Sequence, residues 1–80
     1  MDEPAYFQRG YAKNQLKKCT EAILDFNKAI ELNPKDGMAY YYRGFAKYVL
    51  SDKDGACLDL SKAGELGESG AYDLIKEYCN

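Results

Sequence analysis

The first part of the chain carries two successive patterns with helical spacing. Apolar and small side chains return every three or four positions, as they do along one face of an α-helix. The first pattern runs through Tyr6, Gly10, Lys13 and Leu16, and the second through Ala22, Ile23, Phe26, Ala29 and Ile30. Asn33-Pro34 ends the second pattern, because a residue that precedes proline is pushed out of the α region. The pattern predicts a helical hairpin.

The remainder of the chain predicts three further helices. Asp36 is placed to cap the third helix, which Gly37 and Met38 open. The polar stretch 51–54, with Ser51 as a candidate N-cap, separates the third helix from the fourth, and Gly67 is expected to end the fourth. A fifth segment, 69–79, has one apolar stripe, which indicates an amphipathic helix lying on an apolar surface. The stripe consists of Ala71, Leu74, Ile75, Tyr78 and Cys79.

The pattern of residues 3–34 recurs 34 positions later, in residues 37–68. The two stretches are identical at 14 of 32 aligned positions, whereas chance would give roughly two. An internal repeat of this period is a signature of a stacked repeat architecture. We therefore expect a single domain, 1–80, made of repeat one (3–36), repeat two (37–68) and a capping helix (69–79).

Matched residues indicate how each hairpin packs. Gly10 and Ala22 lie 12 positions apart, as do Gly44 and Ala56, so the hairpin brings small residues face to face and lets the helix backbones approach. Arginine and aspartate lie 16 positions apart in each repeat. An Arg–carboxylate ion pair is therefore predicted within each hairpin. The pairs are Arg9 with Asp25 and Arg43 with Asp59.

These features resemble the tetratricopeptide repeat, a family of 34-residue helix–turn–helix units. The resemblance rests on Gly10, Ala22, Phe26, Ala29 and Pro34, and most specifically on the run from Ala22 to Pro34. Departures from the family pattern are Tyr6 and Tyr40 in place of tryptophan, Arg9 and Arg43 in place of leucine, Leu60 for Phe26 and Glu68 for Pro34. The resemblance implies an all-α, right-handed α-solenoid whose first helices line a concave face. It also implies binding of a protein or peptide without catalysis.

Family geometry implies which side chains point into the concave groove. They are Phe7, Tyr11, Asn14, Gln15, Met38, Tyr41, Tyr42, Phe45 and Tyr48, together with Val49. We expect nothing else in the chain to cover them, whereas Tyr40, Ala46 and Leu50 are expected in the core. One interpretation is an aromatic groove that binds a partner segment. The other is an assembly face, covered in a homodimer or by further repeats of a longer array.

A well-known subset of this family binds the C-terminal carboxylate of chaperone peptides with lysine and with asparagine or arginine. The matching sites here are aromatic: Phe7 and Tyr11 in repeat one, and Tyr41, Tyr42 and Phe45 in repeat two. That carboxylate clamp is therefore absent. An apolar or aromatic ligand is favoured.

Composition narrows the function further. A net charge of −2 and a pI near 5.0 argue against nucleic-acid binding, because no basic surplus exists to displace counterions. The sequence has no histidine, nucleophile–base pair or phosphate-binding loop, and no apolar run approaches the roughly 20 residues that span a bilayer. We expect a non-enzyme without a cofactor, a metal or membrane insertion.

The three cysteines are odd in number and widely spaced, which argues against a disulfide framework. We expect Cys57 and Cys79 to be small buried hydrophobic residues. Residues 1–4 lack the pattern of a signal peptide, which slightly favours a cytoplasmic protein and is also compatible with a domain cut from an exported chain. Cys79-Asn80, following a complete cap, is expected to be a true C-terminus.

Overall fold

The computed structural model describes residues 5–79, which form five α-helices. They are α1 (Tyr6–Gln15), α2 (Cys19–Leu32), α3 (Gly37–Val49), α4 (Lys53–Glu65) and α5 (Gly70–Tyr78). The predicted all-α fold is confirmed. Residues 3 and 4, where repeat one is predicted to begin, and the two ends of the predicted domain 1–80 lie outside the described residues.

Local chemistry explains the helix boundaries. The carboxylate of Asp36 accepts hydrogen bonds from the backbone N–H groups of Met38 (3.1 Å) and Ala39 (3.3 Å), so the predicted cap of α3 is confirmed. α2 ends at Leu32, directly before Asn33-Pro34, and Gly67 follows α4 with a φ of 107°.

The cap of α4 differs from the prediction. Asp52 is the N-cap, and its carboxylate accepts from the Gly55 N–H at 3.0 Å. Ser51 instead lies in the preceding turn at a φ of 71°, in the left-handed region. Lys17, at the matching position of the first hairpin, has a φ of 65°.

The helices form two hairpins and a cap. α1 packs on α2, α3 on α4, and α2 on α3, while α5 closes the stack against α4. Phe26 and Leu60 occupy matching positions and are the largest fully buried side chains of the described chain. A Cβ added at Gly44 would lie 3.1 Å from the Ala56 carbonyl oxygen, in agreement with the predicted close approach of these two residues. A Cβ added at Gly10 would instead lie 2.9 Å from the Phe26 ring. Close helix approach therefore depends on a backbone neighbour in one hairpin and on an aromatic ring in the other.

The capping helix is amphipathic, as predicted. Ala71 is fully buried with Leu60 and Ala63, and the partly buried Leu74, Ile75 and Tyr78 pack against this cluster. The prediction for Leu50 is wrong: its side chain is 48% exposed, because it follows the last residue of α3, whereas Ala46 is fully buried and Tyr40 is partly buried.

The interpretation of the cysteines is also wrong at two of the three positions. Cys57 in α4 and Cys79 at the end of α5 form a disulfide, with their Cα atoms 6.0 Å apart, and both are only partly buried. Two residues 22 positions apart come together because α5 folds back along α4. Cys19 is the free cysteine of the described residues and is buried.

Candidate functional site

An open groove of about 250 Å³ lies where α1, α3 and α5 meet. Its lining residues recur at helical spacing along α1 and α3, so each helix contributes one face. They are Tyr11, Asn14 and Gln15 from α1, Tyr41, Tyr42 and Phe45 from α3, and Leu74 from α5. None of these side chains is charged.

Tyr42 is the centre of the aromatic cluster that forms this groove. Its ring lies edge-on to Tyr11, with ring centroids 5.1 Å apart, and edge-on to Tyr41 at 5.0 Å. Phe7 at 5.9 Å and the buried Phe26 at 6.4 Å complete the contacts of the Tyr42 ring. Burial raises the pKa of the Tyr42 hydroxyl above its usual value, and the neighbouring Tyr11 and Tyr41 act in the same direction. Tyr42, with its uncharged hydroxyl, thus forms the floor of the groove.

Tyr11 and Phe45 form the exposed walls. Their side chains are 39% and 37% exposed, respectively. Tyr11 is oriented by Gln15, whose Nε2 donates a hydrogen bond to the tyrosine Oη at 3.1 Å. These two rings are therefore more exposed than the other rings that line the groove.

Asn14 lies deeper in the groove than the other polar residues. It is 8% exposed, and its Nδ2 donates to the Tyr42 carbonyl oxygen at 3.3 Å, which links α1 to α3. Its Oδ1 is buried and has no hydrogen-bond partner among the described residues. Asn14 therefore holds the two walls of the groove together.

Three of the nine predicted site residues do not line this groove. Phe7 supports it through Tyr42 but lines a separate cavity with Met38, at the other end of the hairpin. Tyr48 is covered by Tyr78 of α5: the two rings are stacked with centroids 3.7 Å apart and planes inclined by 7°. The expectation that nothing in the chain covers the concave face is therefore wrong at the α5 end.

Leu74 is the one lining residue that the predicted set lacks. The apolar stripe of the fifth helix contains it, so its burial was foreseeable. Its place in the groove was not, because it depends on how far α5 folds back over α3.

The predicted ion pairs are present and lie outside the groove. Arg9 binds both carboxylate oxygens of Asp25, at 3.0 and 2.8 Å, and Arg43 binds both of Asp59, each at 2.8 Å. The hydrogen bonds from Arg9 lower the pKa of the Asp25 carboxyl, against the effect of burial. Lys13 adds a second cation at 3.3 Å from Asp25. These pairs fasten the hairpins, and none of their residues lines the groove.

The described residues offer neither a metal site nor a membrane-spanning helix. Among residues 5–79, no cluster of three or more histidine, cysteine, aspartate or glutamate side chains could hold a metal ion. Within the same range, every helix is too short or too polar to cross a lipid bilayer.

Comparison with known proteins gives one family. A sequence model described as "TPR repeat", for tetratricopeptide repeat, matches residues 5–50, which is more than half of the chain. The match covers α1, α2 and α3, and so includes both helices that form the aromatic part of the groove. A search of curated proteins found no match to this chain.

Proposed function

Because the chain belongs to the tetratricopeptide repeat family, whose members are non-catalytic protein-interaction modules, we propose that it is an adaptor that binds a partner protein in the aromatic groove. The observation that carries this proposal is the ring cluster around Tyr42, which leaves Tyr11 and Phe45 more than a third exposed. Tyrosine is suited to such a surface, because its ring gives contact area while its hydroxyl tolerates water.

The lining also supports a particular kind of partner segment. All seven groove residues are uncharged, so a segment with apolar or aromatic side chains fits better than one that is recognised by its charge. Polar groups at the groove edge, such as the Gln15 amide and the Tyr11 hydroxyl, can accommodate the backbone of the segment. This agrees with the absence of a carboxylate clamp from the sequence.

A double variant, Tyr11→Ala with Phe45→Ala, tests the groove. Both side chains are exposed, so their removal leaves the core intact, unlike removal of Tyr41, which packs against Leu60 and its neighbours. We expect the double variant to capture at least about tenfold less of each partner than the unaltered protein does. A tenfold loss corresponds to about 1.4 kcal/mol of binding free energy, which is typical of side chains that dominate an interface. Capture should be quantified by mass spectrometry, and circular dichroism should confirm that the variant is folded.

The matched control removes two apolar side chains elsewhere. Leu24 and Leu58 occupy the same position in the two repeats, lie outside the groove and are 62% and 73% exposed. The Leu24→Ala, Leu58→Ala protein should keep its partners. If both double variants retain the same partners at the same level, the groove is not the binding site.

Assembly is a second candidate function, and one observation favours it. The Nη1 of Arg43 donates a hydrogen bond to the Oδ1 of Asn27 in the preceding hairpin at 2.8 Å, and the Arg43 side chain is only 18% exposed. The matching Arg9 has the same aspartate, lysine and tyrosine neighbours, but its side chain is 59% exposed. The outer face of α1 therefore carries the same residues as the face of α3 that packs against the preceding hairpin, but in α1 this face is exposed.

Solution mass distinguishes the two candidates. If the α1 face mediates self-association, light scattering should give a mass that rises with concentration, and Arg9→Glu should return the protein to a monomer. A constant monomer mass across a hundredfold range of concentration would contradict self-association and leave the adaptor function.

A further inference from the structure

The capping helix α5 is held to the stack by apolar packing along its length, where only Ala71 is fully buried, and by a disulfide at its end. Near its start, Ala71 is fully buried in the cluster with Leu60 and Ala63. At its end, Cys79 is bonded to Cys57 of α4. A nine-residue helix is well below the roughly 12–15 residues that an isolated helix needs in water, so α5 depends on these attachments.

The second attachment lies directly beside the ring that covers Tyr48. Tyr78 precedes Cys79, and its ring lies flat on Tyr48 of α3. Burial raises the pKa of the Tyr78 hydroxyl, in keeping with a ring that has been withdrawn from water. A nearly parallel pair with centroids 3.7 Å apart is close to a face-to-face sandwich, which is less favourable than an offset or edge-on pair. The ring pair thus lies next to the disulfide, at the end of the helix.

We propose that the Cys57–Cys79 disulfide is a redox-controlled latch whose reduction releases the last turn of α5 and uncovers Tyr48. The uncovered ring lies on the same helix as Tyr41 and Phe45, so the open aromatic surface becomes longer at the α5 end. Ala71 keeps the start of α5 in place, so the hairpins remain folded. Only the last consequence, a longer groove for the partner segment, rests on the proposed function.

The chemistry is thiol–disulfide exchange with a dithiol reductant. A thiolate of the dithiol attacks one sulfur of the Cys57–Cys79 bond and forms a mixed disulfide, and the other cysteine leaves as a thiolate. The second thiol of the reductant then displaces the attached cysteine. Two electrons and two protons end on Cys57 and Cys79 as thiols, and the reductant leaves as its disulfide. Both cysteines are partly exposed, which gives the reductant access.

Nuclear magnetic resonance of the unaltered protein, with and without dithiothreitol, tests the latch. The oxidised protein should have one reactive thiol after denaturation and nuclear Overhauser contacts between the Tyr48 and Tyr78 rings. After reduction we expect three thiols, loss of those ring contacts, and amide exchange at residues 75–79 at least about ten times faster. Exchange in α1–α3 should be unchanged.

Two variants separate the latch from general effects of the reductant. Cys57→Ala with Cys79→Ala should show the released state without dithiothreitol and should not respond to it. Cys19→Ala, which alters only the free cysteine, should respond as the unaltered protein does.

Three results would overturn the proposal: three thiols in the oxidised protein, ring contacts that persist after reduction, or loss of helix signal throughout the chain on reduction. The last result would make the disulfide a requirement for folding. These measurements use no partner, so their outcome is independent of whether the groove binds one.

Discussion

At the scale of single residues, each hairpin buries one aspartate between an arginine and a lysine. Asp25 contacts Arg9 and Lys13, and Asp59 contacts Arg43 at 2.8 Å and Lys47 at 3.1 Å. A buried carboxylate is costly unless it is paired and hydrogen-bonded, and two cations meet that need here. The two clusters differ in exposure, because only Arg43 is covered by a neighbouring hairpin.

That difference predicts an order of stability costs. Asp59→Ala should lower the free energy of unfolding by about 2–4 kcal/mol, because it leaves two cations that are themselves partly buried. Asp25→Ala should cost less, about 1–2 kcal/mol, since the more exposed Arg9 can turn into water. Urea denaturation followed by circular dichroism would measure both.

Glu31→Ala is the control for this series. Glu31 pairs with Lys28 at 3.0 Å, but its side chain is 68% exposed, so its removal should cost under about 0.5 kcal/mol. Equal costs for Glu31, Asp25 and Asp59 would contradict a structural role for the buried pairs.

The family resemblance, applied to the helical periodicity, predicted six of the seven residues that line the groove. It did not separate the supporting residues from the exposed ones. Asn14 and Tyr48 look equally available in the sequence, yet one bonds to the Tyr42 carbonyl and the other lies beneath Tyr78. Both outcomes depend on contacts between helices, which a pattern along one helix does not contain.

At the scale of helices, glycines mark the close contacts but not all of them are equally constrained. A Cβ at Gly44 would lie 3.1 Å from both the Ala56 carbonyl and the Asp59 Cβ, which belong to a packed helix. A Cβ at Gly64 would come within 2.6 Å of the Tyr72 ring, but Tyr72 is half exposed and its ring can turn away.

Gly44→Ala should therefore destabilise the protein by about 1–2 kcal/mol, because overpacking outweighs the gain in helix propensity. Gly64→Ala should be neutral or stabilising by up to about 0.5 kcal/mol, since the gain in propensity is opposed only by a movable ring. Thermal unfolding of the two variants side by side would check this. A larger loss for Gly64→Ala would mean that Tyr72 is fixed in place.

Helix ends were largely predictable, because Asp36, Pro34 and Gly67 act through local backbone chemistry. The disulfide was not, since two cysteines 22 positions apart carry no pairing signal until the angle between α4 and α5 is known. The prediction for Leu50 was wrong for a related reason: an apolar side chain that follows the end of a helix does not lie on the face that the helical spacing defines.

At the scale of the whole molecule, stability should decline at both ends of the pH range. The hydrogen bonds from Arg9 hold the pKa of Asp25 below the value of about 3.9 expected in the unfolded chain. This contribution is therefore present above about pH 4 and is lost as the pH falls through the folded-state pKa. Burial raises the pKa of Tyr42 and Tyr78, so their contribution is present below about pH 10 and is lost as the pH rises further.

Urea midpoints measured at pH 7, 4 and 2.5 would test the acid side. The unaltered protein should lose stability between pH 4 and 2.5, and Asp25→Asn should lose less over the same interval, because its side chain does not titrate. The same decline in both proteins would show that Asp25 is not a source of the acid sensitivity.

The bond between Cys57 and Cys79 also bears on where the protein resides in a cell. Disulfides persist in oxidising surroundings, such as the periplasm, the lumen of the endoplasmic reticulum and the extracellular space, whereas glutathione and thioredoxin keep cytosolic thiols reduced. The partly exposed Cys57–Cys79 bond would therefore persist in such oxidising surroundings and be reduced in the cytosol, whereas Cys19 is buried in the first hairpin. The compartment thus determines whether the capping helix is covalently fastened.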